Sequence, residues 1–122
     1  MLTKVNVASR LASFNEHWSP KVVAELNGQY VKVVKFQGAY VWHQHEREDE
    51  MFYVLKGSMN LELRDGAVTL GPGEFVVVPR GVEHRPVAES ECEVLLFEPA
   101  TTRSTGNVDD EHTIEADDLD HI

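Results

Sequence analysis

The chain has 122 residues, of which 42% are hydrophobic and 26% charged, enough for one globular domain and too few for two. Its formal net charge of −10 argues against nucleic acid and anionic membranes, which reward basic patches. No apolar run approaches the roughly 20 residues of a membrane helix, the opening MLTKVNVASRL has no apolar leader core, and the lone Cys92 can close no internal disulfide; the expected home is the reducing cytoplasm.

The first 19 residues offer one short helix. Asn6 is a plausible N-cap, and Val7, Leu11 and Phe14 recur at helical spacing before Pro20 closes the segment. From residue 20 to 99 the pattern is β throughout. Expected strands cover Lys21–Leu26, Tyr30–Gln37, Tyr40–His45, Met51–Leu55, Ser58–Arg64, Val68–Leu70, Glu74–Val78, His84–Val87 and Glu93–Phe97. Turn residues separate them: Asn27-Gly28, Gly38, Lys56-Gly57, Asp65-Gly66, Gly71-Pro72-Gly73 and Arg80-Gly81. Many short strands with such punctuation indicate an antiparallel sandwich or barrel. Residues 51–55 and 75–78 are apolar at every position, so both of their faces need cover; a homodimer is expected to supply part of it.

Residues 1–100 read as one domain, including the N-terminal extension, and 101–122 as an acidic tail. The tail holds seven acids and one base, which leaves −4 over the first 100 residues. Such a segment is expected to lie solvated, with His112 and His121 exposed. Cys92 sits between Glu91 and Glu93, which disfavour a thiolate, so an unreactive thiol is expected.

The residues that carry chemistry lie between 43 and 84. His43 and His45 are two apart on an expected strand, so both imidazoles share a face. Glu50 follows across the charged turn Glu46-Arg47-Glu48-Asp49, where a hairpin return can bring its carboxylate back beside them. His84 follows the turn Pro79-Arg80-Gly81. Three imidazoles and a carboxylate form a credible shell for one divalent ion, with Fe, Mn, Ni, Co and Zn all admitted by the donor set.

Gly38, His43, His45, Glu50 and Gly57 resemble the first cupin motif, G-x5-H-x-H-x3,4-E-x6-G, and Gly73, Pro79, Gly81 and His84 resemble the second, G-x5-P-x-G-x2-H-x3-N. The resemblance covers about residues 30–98 and is to small single-domain bacterial cupins, some of which carry names drawn from mannose-6-phosphate isomerase. It implies an all-β double-stranded β-helix, or jelly-roll barrel, with the short N-terminal helix as an extension. It also implies that His43, His45, Glu50 and His84 bind the metal. The chain departs from the pattern at two places: four rather than five residues separate Gly38 from His43, and Ala88 stands where the second motif ends in Asn.

Strand parity puts Val41 beside the two histidines and Phe52 and Val54 beside Glu50; Phe36, Met59, Phe75 and Phe97 are further candidates for the wall of a substrate pocket. That wall would be apolar and suit a small ligand that reaches the metal through oxygen. Arg47 and Arg80 fall in turns and Arg85 points away from His84, so a phosphate-binding cation is lacking. Trp42 and Tyr53 are expected to face outward, and Trp18 to anchor the N-terminal segment. Two functions remain open. One is a metal-dependent enzyme with dioxygenase-like or Lewis-acid (isomerase or lyase) chemistry. The other is a non-catalytic module that binds a metal or small ligand.

Overall fold

A computed structural model describes residues 2–122. The expected helix forms over Val7–Ala12 (α1), and the Asn6 side chain caps it by accepting the Ser9 N–H. The strands follow: β1 (Lys21–Leu26), β2 (Gln29–Ala39), β3 (Glu50–Lys56), β4 (Met59–Leu63), β5 (Gly66–Leu70), β6 (Phe75–Val78), β7 (His84–Pro99) and β8 (Asp120–His121).

The strand β7 is the spine of the barrel. Residues 93–97 of it lie between β2 and β3, while residues 84–87 pair with β4. The two stretches expected as separate strands, His84–Val87 and Glu93–Phe97, are therefore one strand that turns a corner. The corner falls at the exposed Glu89, Ser90 and Glu91, where the β2 register jumps from Phe36 opposite Cys92 to Gly38 opposite Ala88. Polar residues mark the bend, but continuity of the ladder through it is a property of β2 as much as of β7. Gly57 packs against the same corner: with φ of +85°, a β-carbon there would stand 2.8 Å from the Glu91 carbonyl oxygen.

The remaining sheet order is β5-β4-β7-β2-β1-β8, with β3 joined to β7 and β6 at the other side. This is the jelly-roll architecture expected from the sequence. The main core fills the barrel with Val34, Phe36, Phe52, Val54, Met59, Leu61, Leu70, Val78, Cys92, Val94 and Leu96. A smaller core of Leu11, Phe14 and Val33 lies under α1. Both faces of β2 are thus covered, which is why Lys32 through Phe36 are all buried. Lys35 emerges under α1 and donates to the Phe14 carbonyl at 2.6 Å.

Two further expectations fail. Residues 40–45 do not form a strand; among them only His43 bridges to His84, with reciprocal backbone hydrogen bonds of 3.1 and 2.9 Å. The neighbouring backbone groups find partners in loops instead: Gln44 exchanges hydrogen bonds with Asn107, and the His45 carbonyl accepts from the Gly81 N–H. A polar backbone needs partners, not a ladder. The acidic tail, secondly, is folded rather than solvated. Thr102, Thr105 and Leu119 are buried, and β8 lies parallel to β1 with Asp120 2.8 Å from the Lys21 ammonium. Arg103 organises the acids by pairing with Glu115 and Asp109 and donating to the Gly106 and Val108 carbonyls. Net charge alone could not reveal that one guanidinium gathers two acids and two carbonyls.

Candidate metal centre and pocket

The corner segment at 40–45, the start of β3 and the start of β7 converge on one point. One ligand atom each from His43, His45, Glu50 and His84 lies within 4.8 Å of every other, and all four residues are buried. Position two apart still carries His43 and His45 inward although no regular strand holds them.

Neighbouring carbonyls fix the rings. The Val41 carbonyl lies 2.9 Å from His43 Nδ1, and the Val82 carbonyl 2.9 Å from His84 Nδ1. A carbonyl can only accept, so each Nδ1 carries a proton and Nε2 is the nitrogen turned to the cluster. His84 Nε2 and His45 Nε2 each lie 3.3 Å from Glu50 Oε1. Both ring nitrogens of His45 are buried without a hydrogen bond among the described residues. Leaving a buried nitrogen unpaired costs about 1–3 kcal/mol, so an imidazole with both nitrogens unpaired is a poor structural element and a good ligand. The donor set and the unpaired His45 both fit a divalent ion.

Electrostatics divide the cluster. Burial, reinforced by the proximity of His84, lowers the His43 pKa to about 4, so its imidazole is neutral at ordinary pH. Burial works against a charged Glu50 as well, but the imidazoles of His45 and His84, each 3.3 Å from its Oε1, overcome it and hold the carboxyl well below its usual range. For His84 burial disfavours the proton, while the Glu50 carboxylate outweighs it and raises the pKa.

A narrow pocket adjoins the cluster through His43 and Glu50. Phe36 and Phe52 line it. Val54 and Met59 are buried in the core beyond it, and Val41 packs half-buried against that core. Phe75 and Phe97 face the other way. On β7 the buried positions are Cys92, Val94, Leu96 and Glu98, so Phe97 falls on the outer parity. Phe75 is 58% exposed and stacks on Tyr53 outside the barrel.

The wall is not uniformly apolar. Lys32 and Glu98 line the pocket at 1% and 2% exposure and pair at 2.9 Å. Sequence reasoning missed both, because a Lys and a Glu near strand ends read as surface residues; the signal was parity, since Lys32 shares a face with Val34 and Phe36. Trp18 was expected as an anchor, and it does donate to the Gln37 carbonyl, but it also lines the pocket, stacked on Phe36 and Tyr40 at 4.4 and 4.7 Å. Tyr40 stands edge-on to His43; burial, with the Glu50 charge adding to it, pushes its pKa up to about 12, so the phenol keeps its proton. Ser104, from the tail, completes this side. Trp42 faces outward, with Arg64 and Arg85 over its ring, and Arg85 also binds Glu62. Cys92 is buried and its thiol pKa is raised to about 11 by burial and Glu93, which makes it inert.

Residues 31–99 match the family described as Cupin domain. Among solved structures, a cupin-2 domain protein from Shewanella frigidimarina is 44% identical, with 78% of this chain and 93% of that one covered and a TM-score of 0.77. A Neisseria meningitidis protein is 34% identical, with 80% and 99% covered and a TM-score of 0.74. Uncharacterized protein YdbB of Bacillus subtilis is 33% identical over 64 residues, which span 52% of this chain and little more than half, 57%, of YdbB. By the family match over most of its barrel, this chain belongs to the cupin family.

Proposed function

We propose that the protein is a divalent-metal-dependent enzyme acting on a small organic substrate. The observation that carries this reading is the buried group of His43, His45, Glu50 and His84 opening directly onto a lined pocket. These four residues would hold the ion, and the ion, once bound, would supply Lewis-acid or dioxygenase-like chemistry to a substrate oxygen. Phe36, Phe52 and Leu96 exclude water from one side of the pocket. Tyr40, protonated, offers a hydrogen-bond donor beside His43.

Elemental analysis tests the first half of the proposal: the purified protein should carry metal, and His45→Ala and Glu50→Ala variants much less. Equal metal in all three would remove the site. Turnover of enolic and diketone substrates by Fe-, Mn-, Ni-, Co- and Zn-loaded protein, with and without oxygen, tests the second half. Metal retention without turnover would favour a non-catalytic binding module. We further propose a homodimer in a reducing cytoplasm. The supporting features are the exposed Phe75 and Val77 on β6, a strand that among the described residues pairs with β3 alone, and the free, buried Cys92.

A further inference from the structure

Trp18 is the strained residue of the pocket wall. Its φ of +60° lies in the left-handed region, where the only other non-glycine among the described residues is Asn27. Asn tolerates that region, but a bulky side chain stays there only when its surroundings enforce it. The Trp18 backbone N–H donates to the Lys35 carbonyl and the indole N–H to the Gln37 carbonyl, each at 2.9 Å. The indole is buried and stacks on Phe36 and Tyr40, with interplanar angles of 21° and 24°. Its own segment supplies no such hold, since residues 14–20 lie outside helices and strands between α1 and β1. The two rings that Trp18 covers lead to the metal cluster. Tyr40 stands edge-on to His43 at 5.5 Å, and Phe36 reaches His84 through Phe52, at 6.3 and 5.9 Å between successive ring centres. Trp18, Phe36, Tyr40 and Phe52 all line the pocket, which is narrow while the indole is in place.

We propose that Trp18 is a movable plug, and that the ligand which displaces it is a flat conjugated ring carrying oxygens for the metal. This rests on the metal reading above, which supplies the partner for those oxygens. Withdrawal of the indole leaves a space bounded by two aromatic rings nearly parallel to the plane it occupied. A flat ring fills such a space and regains the stacking that the indole gives up, whereas a puckered or branched group loses contact with one of the two rings. The rest of the exchange is nearly balanced. Both ends of the bond between the indole and the Gln37 carbonyl can pass to water, because residues 37–39 are exposed. The left-handed conformation at Trp18 is released at the same time.

The test uses zinc-loaded protein labelled with 5-fluorotryptophan. It gives one fluorine resonance for each of the two tryptophans, Trp18 and Trp42, and Trp42→Phe assigns them. The probe is tropolone, a flat ring that chelates divalent ions through two oxygens. Saturating tropolone should move the Trp18 resonance most of the way to its position in urea-unfolded protein and leave Trp42 in place. Tropolone that binds, by its own absorbance, with Trp18 unmoved would overturn the plug, and so would tropolone that fails to bind. Affinity gives a second readout through its sign. An open state populated at about 10% or less weakens a ligand by at least about tenfold. Trp18→Gly suits the positive φ and removes the plug, so it should bind tropolone at least about tenfold more tightly than wild type. Weaker or unchanged binding would make Trp18 a fixed wall and end the proposal. Acetohydroxamate chelates without a ring and should gain less from the substitution; an equal gain would remove the flat slot. Zinc content, measured beside each titration, separates the two readings. Wild type without zinc overturns both, and wild type with zinc but no displacement of Trp18 overturns the plug alone. Should Trp18→Gly fail to fold, the wild-type fluorine spectrum still decides.

Discussion

The barrel interior has two halves of opposite character. Val54, Met59, Leu61, Leu70, Cys92 and Val94 fill one half with apolar side chains. In the other half the same strands turn Lys32, Glu50, His84 and Glu98 inward, beside His43 and His45 from the corner segment. Along β3 the change takes three inward positions, from Glu50 through Phe52 to Val54. One half can reach its free-energy minimum by packing alone. The other holds the buried ring nitrogens of His45, which have no hydrogen bond among the described residues, and is destabilised by them. Stability and ligand chemistry are therefore separable by position along single strands.

The sharpest way to break that division is to cut the apolar half. Leu61→Ala should destabilise the protein by about 2–5 kcal/mol through lost burial and a cavity, measured by urea unfolding, while metal content per folded molecule stays unchanged. Loss of metal in that variant would join the two halves into one unit. In the polar half, His45→Ala should lower metal affinity by more than the roughly 10–100-fold typical of losing an outer partner, as read by competition with a chelator. It should leave the metal-free unfolding midpoint unchanged or raised, since an unpaired buried imidazole is removed.

Acid should affect the polar half first. The His43 pKa near 4 lies below its unfolded value near 6.5, so the unfolded chain takes up this proton first as pH falls. Its contribution to stability is complete above about pH 6.5 and is lost progressively as pH falls through about 4, on the order of 3 kcal/mol in the metal-free protein. His84, shifted upward, has the opposite sign: its contribution is present below its unfolded pKa and lost as pH rises through the folded one. Protons should compete with metal at His84 from its ordinary value upward, so metal affinity should rise with pH over that range. An affinity profile flat from pH 6 upward would remove His84 from the shell.

The tail offers a finer test. Gly106 has φ of +55°, and a β-carbon there would overlap the Gln44 carbonyl, standing 2.8 Å from its carbon and 3.2 Å from the His43 ring. Gly106→Ala should cost about 1–3 kcal/mol through overpacking and weaken metal binding as the 40–45 segment shifts, readable by thermal unfolding with and without metal. The smallest stability effect is expected at Phe75→Ser on the exposed face, within about 0.5 kcal/mol for a surface substitution. The same variant should turn the proposed dimer to monomer in sedimentation; a dimer that persists would move the interface elsewhere.

Much of this architecture was written along the chain. Asn6 and the Val7-Leu11-Phe14 spacing specified α1, and glycines with turn residues delimited most strands, because caps and turns are local interactions. Motif spacing named the four residues that converge. Spacing did not reveal what holds residues 40–45, since the partners of Gln44 and His45 lie at Asn107 and Gly81. Reading Phe75 and Phe97 as pocket residues followed apolarity, whereas parity on β6 and β7 governs: it turns Phe97 out and Glu98 in.

The sequence by itself determined the all-β barrel, the helix that extends it and the four-residue group with metal-ligand chemistry, because turn propensity, period-two alternation and motif spacing act over a few residues. Only the tertiary structure decided that the acidic tail closes over the 40–45 segment and that Lys32 and Glu98 meet inside the pocket. Those outcomes depend on contacts between residues 66 apart in one case and 63 in the other, and no local pattern encodes which distant strand or loop a polar side chain will find.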